Sequence, residues 1–184
     1  MIEWKIVHTV EIPKGIKVSE SSGHITVEGK LGKVSRTFRD NYVKIEFDGK
    51  SVKVSITKDN KYTKGISGTW ASEIRKAITG VQEGYLSTMK IDYTHFPTRV
   101  SVRGNLVVIE NFLGERSQRT AEIIGQTKVA VKGDKVTING VDKKDIGETA
   151  ANIERATKIK GFDPRVFQDG IYPIENEVGE ECQT

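Results

Sequence analysis

The chain has one cysteine, Cys182, close to its end. A single thiol excludes an internal disulfide and any cysteine-cluster metal site, and it fits a reducing compartment. Histidine is almost as scarce. His8, His24 and His95 show no ligand spacing among themselves, so the commonest metal and acid–base signatures are missing. There is no Gly-x-Ser-x-Gly elbow, no Walker loop and no His-Glu-x-x-His. The acidic residues are spread out, and none forms a pair set apart in an apolar pocket. An enzyme therefore lacks visible parts, and neither a cofactor nor a small-molecule substrate is expected. No apolar run reaches the roughly 18 residues that a membrane-spanning helix needs. The opening MIEWKIVHTVEI alternates apolar with polar residues and carries two acids, unlike a signal peptide.

What is present begins with charge. The formal net charge is only +4, but Glu175, Glu177, Glu180 and Glu181 follow Tyr172 with no Lys or Arg among them. Without those four acids the remainder carries +8. A basic body with an acidic end suits a polyanionic partner, and equally suits solubility. Hydrophobic residues make up 36%, the low side for one core and natural for two small ones.

The first half reads as short strands: Ile2–Ile12, Ile16–Val18, His24–Glu28, Lys33–Phe38, Tyr42–Phe47 and Ser51–Ile56. Asp48-Gly49 marks a tight hairpin between the last two. The period then becomes helical from Lys61 to Val81, with Tyr62, Ile66, Trp70, Ile74, Ala77, Ile78 and Val81 on one face and Asn60 as cap. The second half repeats this plan. Tyr85–Tyr93, Thr98–Val102, Leu106–Asn111, an arm after Gly114, Lys128–Val131 and Lys135–Ile138 read as strands. A helix from about Lys143 to Lys160 follows, capped by Asp142 and buried through Ile146, Ala150 and Ile153. Individual residues also match between halves: Val27 with Ile109, Glu28 with Glu110, Leu31 with Leu113, Gly32 with Gly114, Ser35 with Ser117, Lys44 with Lys128, Gly49 with Gly133, Val52 with Val136. The expected fold is α+β: two tandem small domains, each an antiparallel sheet packed with one main helix, an internal duplication. The boundaries expected are 1–82 for the first domain, 83–160 for the second, and 161–184 for an extension with little regular structure.

Several stretches carry candidate chemistry. Gly29-Lys-Leu-Gly32 and Gly65-Ile-Ser-Gly68 match a short RNA-binding pattern, but neither lies between two helices as that pattern requires, and the first reads as a turn. His95 and Phe96 sit in a loop before Pro97 and Arg99. Phe112 occupies a hairpin tip beside Gly114. There it either folds back onto its own domain or packs on a partner while Arg116 and Arg119 neutralise phosphates. The stretch Lys158–Tyr172 interleaves Lys158, Lys160, Phe162, Arg165, Phe167 and Tyr172 with glycines, including Gly161 and Gly170. Cations for phosphate, rings for unpaired bases and glycine for close approach are what an RNA-binding extension needs. The plain alternative is an ordered extension whose rings cap a core.

At these residues, His95-Phe96-Pro97, Asn111-Phe-Leu-Gly-Glu115 and Arg165-Val-Phe-Gln-Asp-Gly-Ile-Tyr172, the chain resembles the large-subunit ribosomal protein six family in its archaeal and eukaryotic branch. The agreement in order and spacing runs from about Ile2 to Tyr172. The resemblance implies two tandem α+β domains and a cytoplasmic, non-catalytic role in translation. That role is binding large-subunit rRNA, near the base of the factor-binding stalk and the sarcin–ricin region, beside neighbouring ribosomal proteins. It directs attention to the His95–Arg99 loop, the Phe112–Arg119 hairpin and the Lys158–Tyr172 extension. The acidic Glu175–Thr184 segment lies outside it and is expected to be mobile. The rival reading is a protein-interaction module that uses strand edges and the Phe112 tip. A hydrolase or transferase with an unrecognised site is a more distant one.

Overall fold

Alternation of apolar and polar residues builds β1 (Lys5–Glu11), β2 (Lys17–Ser21), β3 (His24–Glu28), β4 (Lys33–Thr37), β5 (Val43–Phe47) and β6 (Ser51–Ile56) before α1 (Lys61–Gln82). The computed structural model describes residues 4–21, 23–163 and 165–178. The chain divides into two compact units, Met1–Glu83 and Gly84–Thr184.

In the first unit the strands form two antiparallel sheets, β1-β6-β5 and β2-β3-β4. Val52, Val54 and Ile56 of β6 turn their side chains inward and are buried, as a two-residue period with one wet face requires. Helix α1 covers β1 and β6. Asn60 caps it: the Asn60 side chain accepts from Thr63 N at 2.9 Å, and Asn60 N donates to Thr63 Oγ1 at 3.2 Å. The buried stripe of its first turns differs from the expected one. Thr63, Ser67 and Ala71 face the core, while Tyr62 is 60% exposed and donates to Asp40. Small side chains let the helix lie close to the sheet there, and the capping hydroxyl of Thr63 must point back into the turn. From Ile74 onward the expected positions are the buried ones.

The second unit repeats the order with β7 (Tyr85–Asp92), β8 (Arg99–Arg103), β9 (Leu106–Glu110), β10 (Arg119–Glu122), β11 (Lys128–Lys132), β12 (Lys135–Gly140) and α2 (Lys143–Ala156), then adds β13 (Gly170–Val178). The sheets are β11-β12-β7-β13 and β10-β9-β8, antiparallel throughout. The two hairpins around Gly49 and Gly133 share one register: Phe47 faces Val52 in the first, Val131 faces Val136 in the second. The core gathers Met89, Ile109, Val136, Ile138, Ile153 and Ile171.

Three sequence expectations change here. The arm after Gly114 pairs only from Arg119 onward. Helix α2 stops at Ala156 rather than near Lys160, with Thr157 as its C-cap, and Arg119 donates to the carbonyls of Ala156 and Lys158 at 2.8 and 3.1 Å. The Ala156 carbonyl is one of the orphan acceptors of the helix end, and Lys158 lies just beyond the cap. The extension is not without regular structure. From Gly170 it forms a nine-residue strand along the whole of β7, so Glu175–Val178 is held in a sheet. The residues after Val178, Cys182 among them, fall outside the described part.

Candidate nucleic-acid interface

The three stretches singled out from the sequence meet in the second unit. The loop after β7 is tied to the extension by Thr94 N, which donates at 3.0 Å to the buried carboxylate of Asp169. It is tied to the turn after β9 by Asn111 Nδ2, which donates to the Pro97 carbonyl at 3.1 Å. The Phe96 ring lies over Gly114, where a Cβ would come within 3.3 Å of it. Gly114 also has φ +74, so both the turn and the ring exclude other residues. Across the surface so formed, His95 stacks on Phe167 with ring centroids 5.4 Å apart, and Phe167 on Phe162 at 4.8 Å. Phe96 and Phe162 remain 42% and 51% exposed. A groove of about 620 Å³ runs beside Phe167, floored by Ala151, Thr157 and Ile159 and edged by Lys158 and Tyr172.

Arg99, Arg116, Lys158, Lys160 and Arg165 are exposed. None of their side chains makes an ion pair or hydrogen bond among the described residues, and the two acids flanking Arg116 are already engaged. Glu110 accepts from Arg103 and Gln118, and Glu115 from Arg119. The surface thus offers unneutralised cations beside open ring faces, the two elements that contact phosphate and unpaired bases.

Three candidate residues do other work. Phe112 is buried to 1% and is not a partner-facing tip. Asn111 and Leu113 adopt φ 58 and 51, and this left-handed turn carries the ring down into the core. Arg119 is not free for phosphate. Its fork donates to both oxygens of Glu115 at 2.8 and 2.6 Å, and its guanidinium lies 4.4 Å from the Phe112 ring centroid. The same guanidinium holds the Glu115 carboxyl below the usual carboxylate range. Gly170 is buried within β13, and a Cβ there would meet the Tyr172 ring at 2.7 Å. Its small size makes room for tyrosine rather than for a ligand. Tyr172 itself is exposed, with its hydroxyl donating to the Gln168 carbonyl at 3.3 Å.

Val166 and Asp169 were not among the candidates. The exposed pair Phe162 and Val166 adds apolar surface to the patch. Asp169 organises it from beneath, and nothing in the sequence distinguishes this aspartate from a solvent-facing one.

A family model described as ribosomal protein L6 matches residues 12–84 and again 96–170, once in each unit. Among curated relatives, the large ribosomal subunit protein uL6 of Picrophilus torridus is 55% identical over 98% of this chain and 100% of its own length. The protein of the same name from Thermoplasma acidophilum is 58% identical, covering 95% of this chain and 98% of its own. That from Methanocella arvoryzae is 52% identical over 90% and 94%.

Proposed function

The chain belongs to the ribosomal protein L6 family, and from that premise we propose that it is a structural constituent of the large ribosomal subunit in the cytoplasm. There it holds large-subunit rRNA and adjoining ribosomal proteins together near the factor-binding stalk base and the sarcin–ricin region. Its work is binding rather than catalysis: the relatives are named as ribosomal subunit proteins, not as enzymes. The observation that carries the rRNA reading is the joining of three separate segments into one patch of exposed rings and unpaired cations. Phe96, Phe162 and Phe167 offer faces to unpaired bases, and His95 supports Phe167. Arg99, Arg116, Lys158, Lys160 and Arg165 neutralise phosphates, with Gly114 and Tyr172 shaping the rim. Phosphate contacts supply most of the affinity, and the shape of the patch sets its placement.

The first prediction concerns salt. Binding of the full chain to a large-subunit rRNA fragment weakens steeply between about 50 and 200 mM salt. R116A/K160A/R165A flattens the log–log slope by about 2 to 3, at about 0.7 to 0.9 per lost contact. A wild-type interaction insensitive to both salt and RNase would instead favour a protein-binding module and remove the rRNA reading.

A further inference from the structure

The internal duplication provides a control for every surface of the second unit: the matching surface of the first. The two hairpins β5–β6 and β11–β12 have the same register, so their outward side chains can be compared position by position. In the first hairpin the outer face carries Lys44, Glu46, Asp48 and Lys53, and it is internally neutral. Lys44 pairs with Glu46 at 3.3 Å, and Lys53 with Asp48 at 2.6 Å. In the second, Ala130 stands where Glu46 stood, Lys132 replaces Asp48, and Lys135 replaces Ser51. Lys128 matches Lys44, and Thr137 matches Lys53. The face changes from balanced to +3, and both acids have gone.

The register sharpens this. Lys132 lies directly opposite Lys135, and Lys135 directly opposite Lys90 on β7. Like charges facing one another across strands destabilise a sheet. Lys90 is relieved by Asp92 at 2.5 Å, with Asp134 also nearby. Lys128, Lys132 and Lys135 have no ion pair among the described residues. The remaining acids on this face, Glu175 and Glu177, sit on β13 opposite Thr88 and Leu86. That is three strand spacings from Lys128 and Lys132 on β11, about 14 Å, and two from Lys135 on β12, about 10 Å, both beyond the screening length of about 8 Å at physiological salt.

We infer that the outer face of the β11–β12 hairpin is a second RNA-binding surface of this chain, one that seats the phosphate backbone of a double-helical segment. This rests on the RNA-binding reading above but concerns a different surface. The chemistry selects the occupant. Ala130, Thr137 and Thr88 between the lysines give a low floor with no ring, so no base can be stacked there and a single strand gains nothing beyond charge. The face has no aromatic, methionine or arginine anchor, and lysine is depleted at protein interfaces. It does suit phosphate, to which lysine binds as a point charge. Lysine on an edge strand also discourages edge-to-edge aggregation, but the first hairpin edge does that with alternating signs.

The test uses the full-length chain with a short blunt-ended RNA duplex and, separately, a single-stranded oligouridine of equal length. K128Q/K132Q/K135Q is expected to weaken duplex binding and flatten its salt slope by about 2 to 3, with a smaller change for the single strand and an unfolding midpoint equal to or above that of wild type. The reciprocal graft E46A/D48K/S51K is expected to tighten duplex binding and steepen the slope. Unchanged duplex affinity and slope in both variants overturns the inference. So does a lysine-dependent contact that survives RNase, since that marks an acidic protein as the partner. R116A/K160A/R165A is measured in parallel. If it loses binding while the lysine variant does not, only this inference fails. If wild type binds no RNA, the reading of function fails with it.

Discussion

Arg119 shows how one side chain can serve two neighbouring structures. It clamps Glu115 in the turn after β9, and it also satisfies carbonyls where α2 ends. Removing it leaves a half-buried carboxylate and helix-end acceptors short of donors. R119A should therefore lower the stability of the second unit by about 1 to 3 kcal/mol. Hydrogen exchange at the β9 and β12 amides measures this. Tryptophan fluorescence cannot, since Trp4 and Trp70 both lie in the first unit. The sign of the pH dependence follows from the lowered Glu115 carboxyl. Its contribution is complete above the ordinary glutamate value of about 4.3 and disappears as pH falls through the lower folded-state value. E115Q should flatten the stability profile in that acid window by removing the contribution present above it, so the loss of stability is seen at neutral pH and vanishes in acid. None of this was legible in the sequence. Arg119 and Arg116 look alike in a string, and only the left-handed turn at Asn111 and Leu113 decides which one is drawn inward.

At the scale of elements, strand order, hairpin placement and both helix caps followed from period and turn chemistry, because those signals are local. β13 did not. Its residues Tyr172-Pro-Ile-Glu-Asn-Glu carry a proline and no clean alternation, and the register shifts between Pro173 and Glu175. The pairing is dictated by β7, which would otherwise leave an open edge next to the core. Ile171 is the anchor, fully buried against that core. I171A is expected to cost about 2 to 5 kcal/mol and to lower the second unit's thermal midpoint, while the tryptophan-reported transition of the first unit stays in place. An unchanged calorimetric midpoint would mean that β13 is an ornament on the sheet rather than part of it. The segments proposed to face rRNA stand out for the opposite reason to β13: unusual composition, rings among cations and glycines, is visible without any knowledge of pairing.

At the scale of the whole molecule, the two halves share a plan and differ in electrostatics. The sheet of the second unit carries lysines toward one edge and Glu175 and Glu177 toward the other. Because about 10 to 14 Å separates them, E175Q/E177Q is expected to raise RNA affinity at about 10 mM salt, where screening reaches about 30 Å, and to leave it unchanged near 150 mM, where it reaches about 8 Å. Titrations at the two salt levels check this. An equal gain at both would show that the acids oppose RNA by direct contact. The pairing of β7 with β13 has a temporal corollary. During synthesis the opening strand of the second unit leaves the exit tunnel with its outer neighbour still untranslated. The first unit can therefore settle while the polypeptide is still being elongated, whereas the second can close its sheet only once β13 has been synthesised.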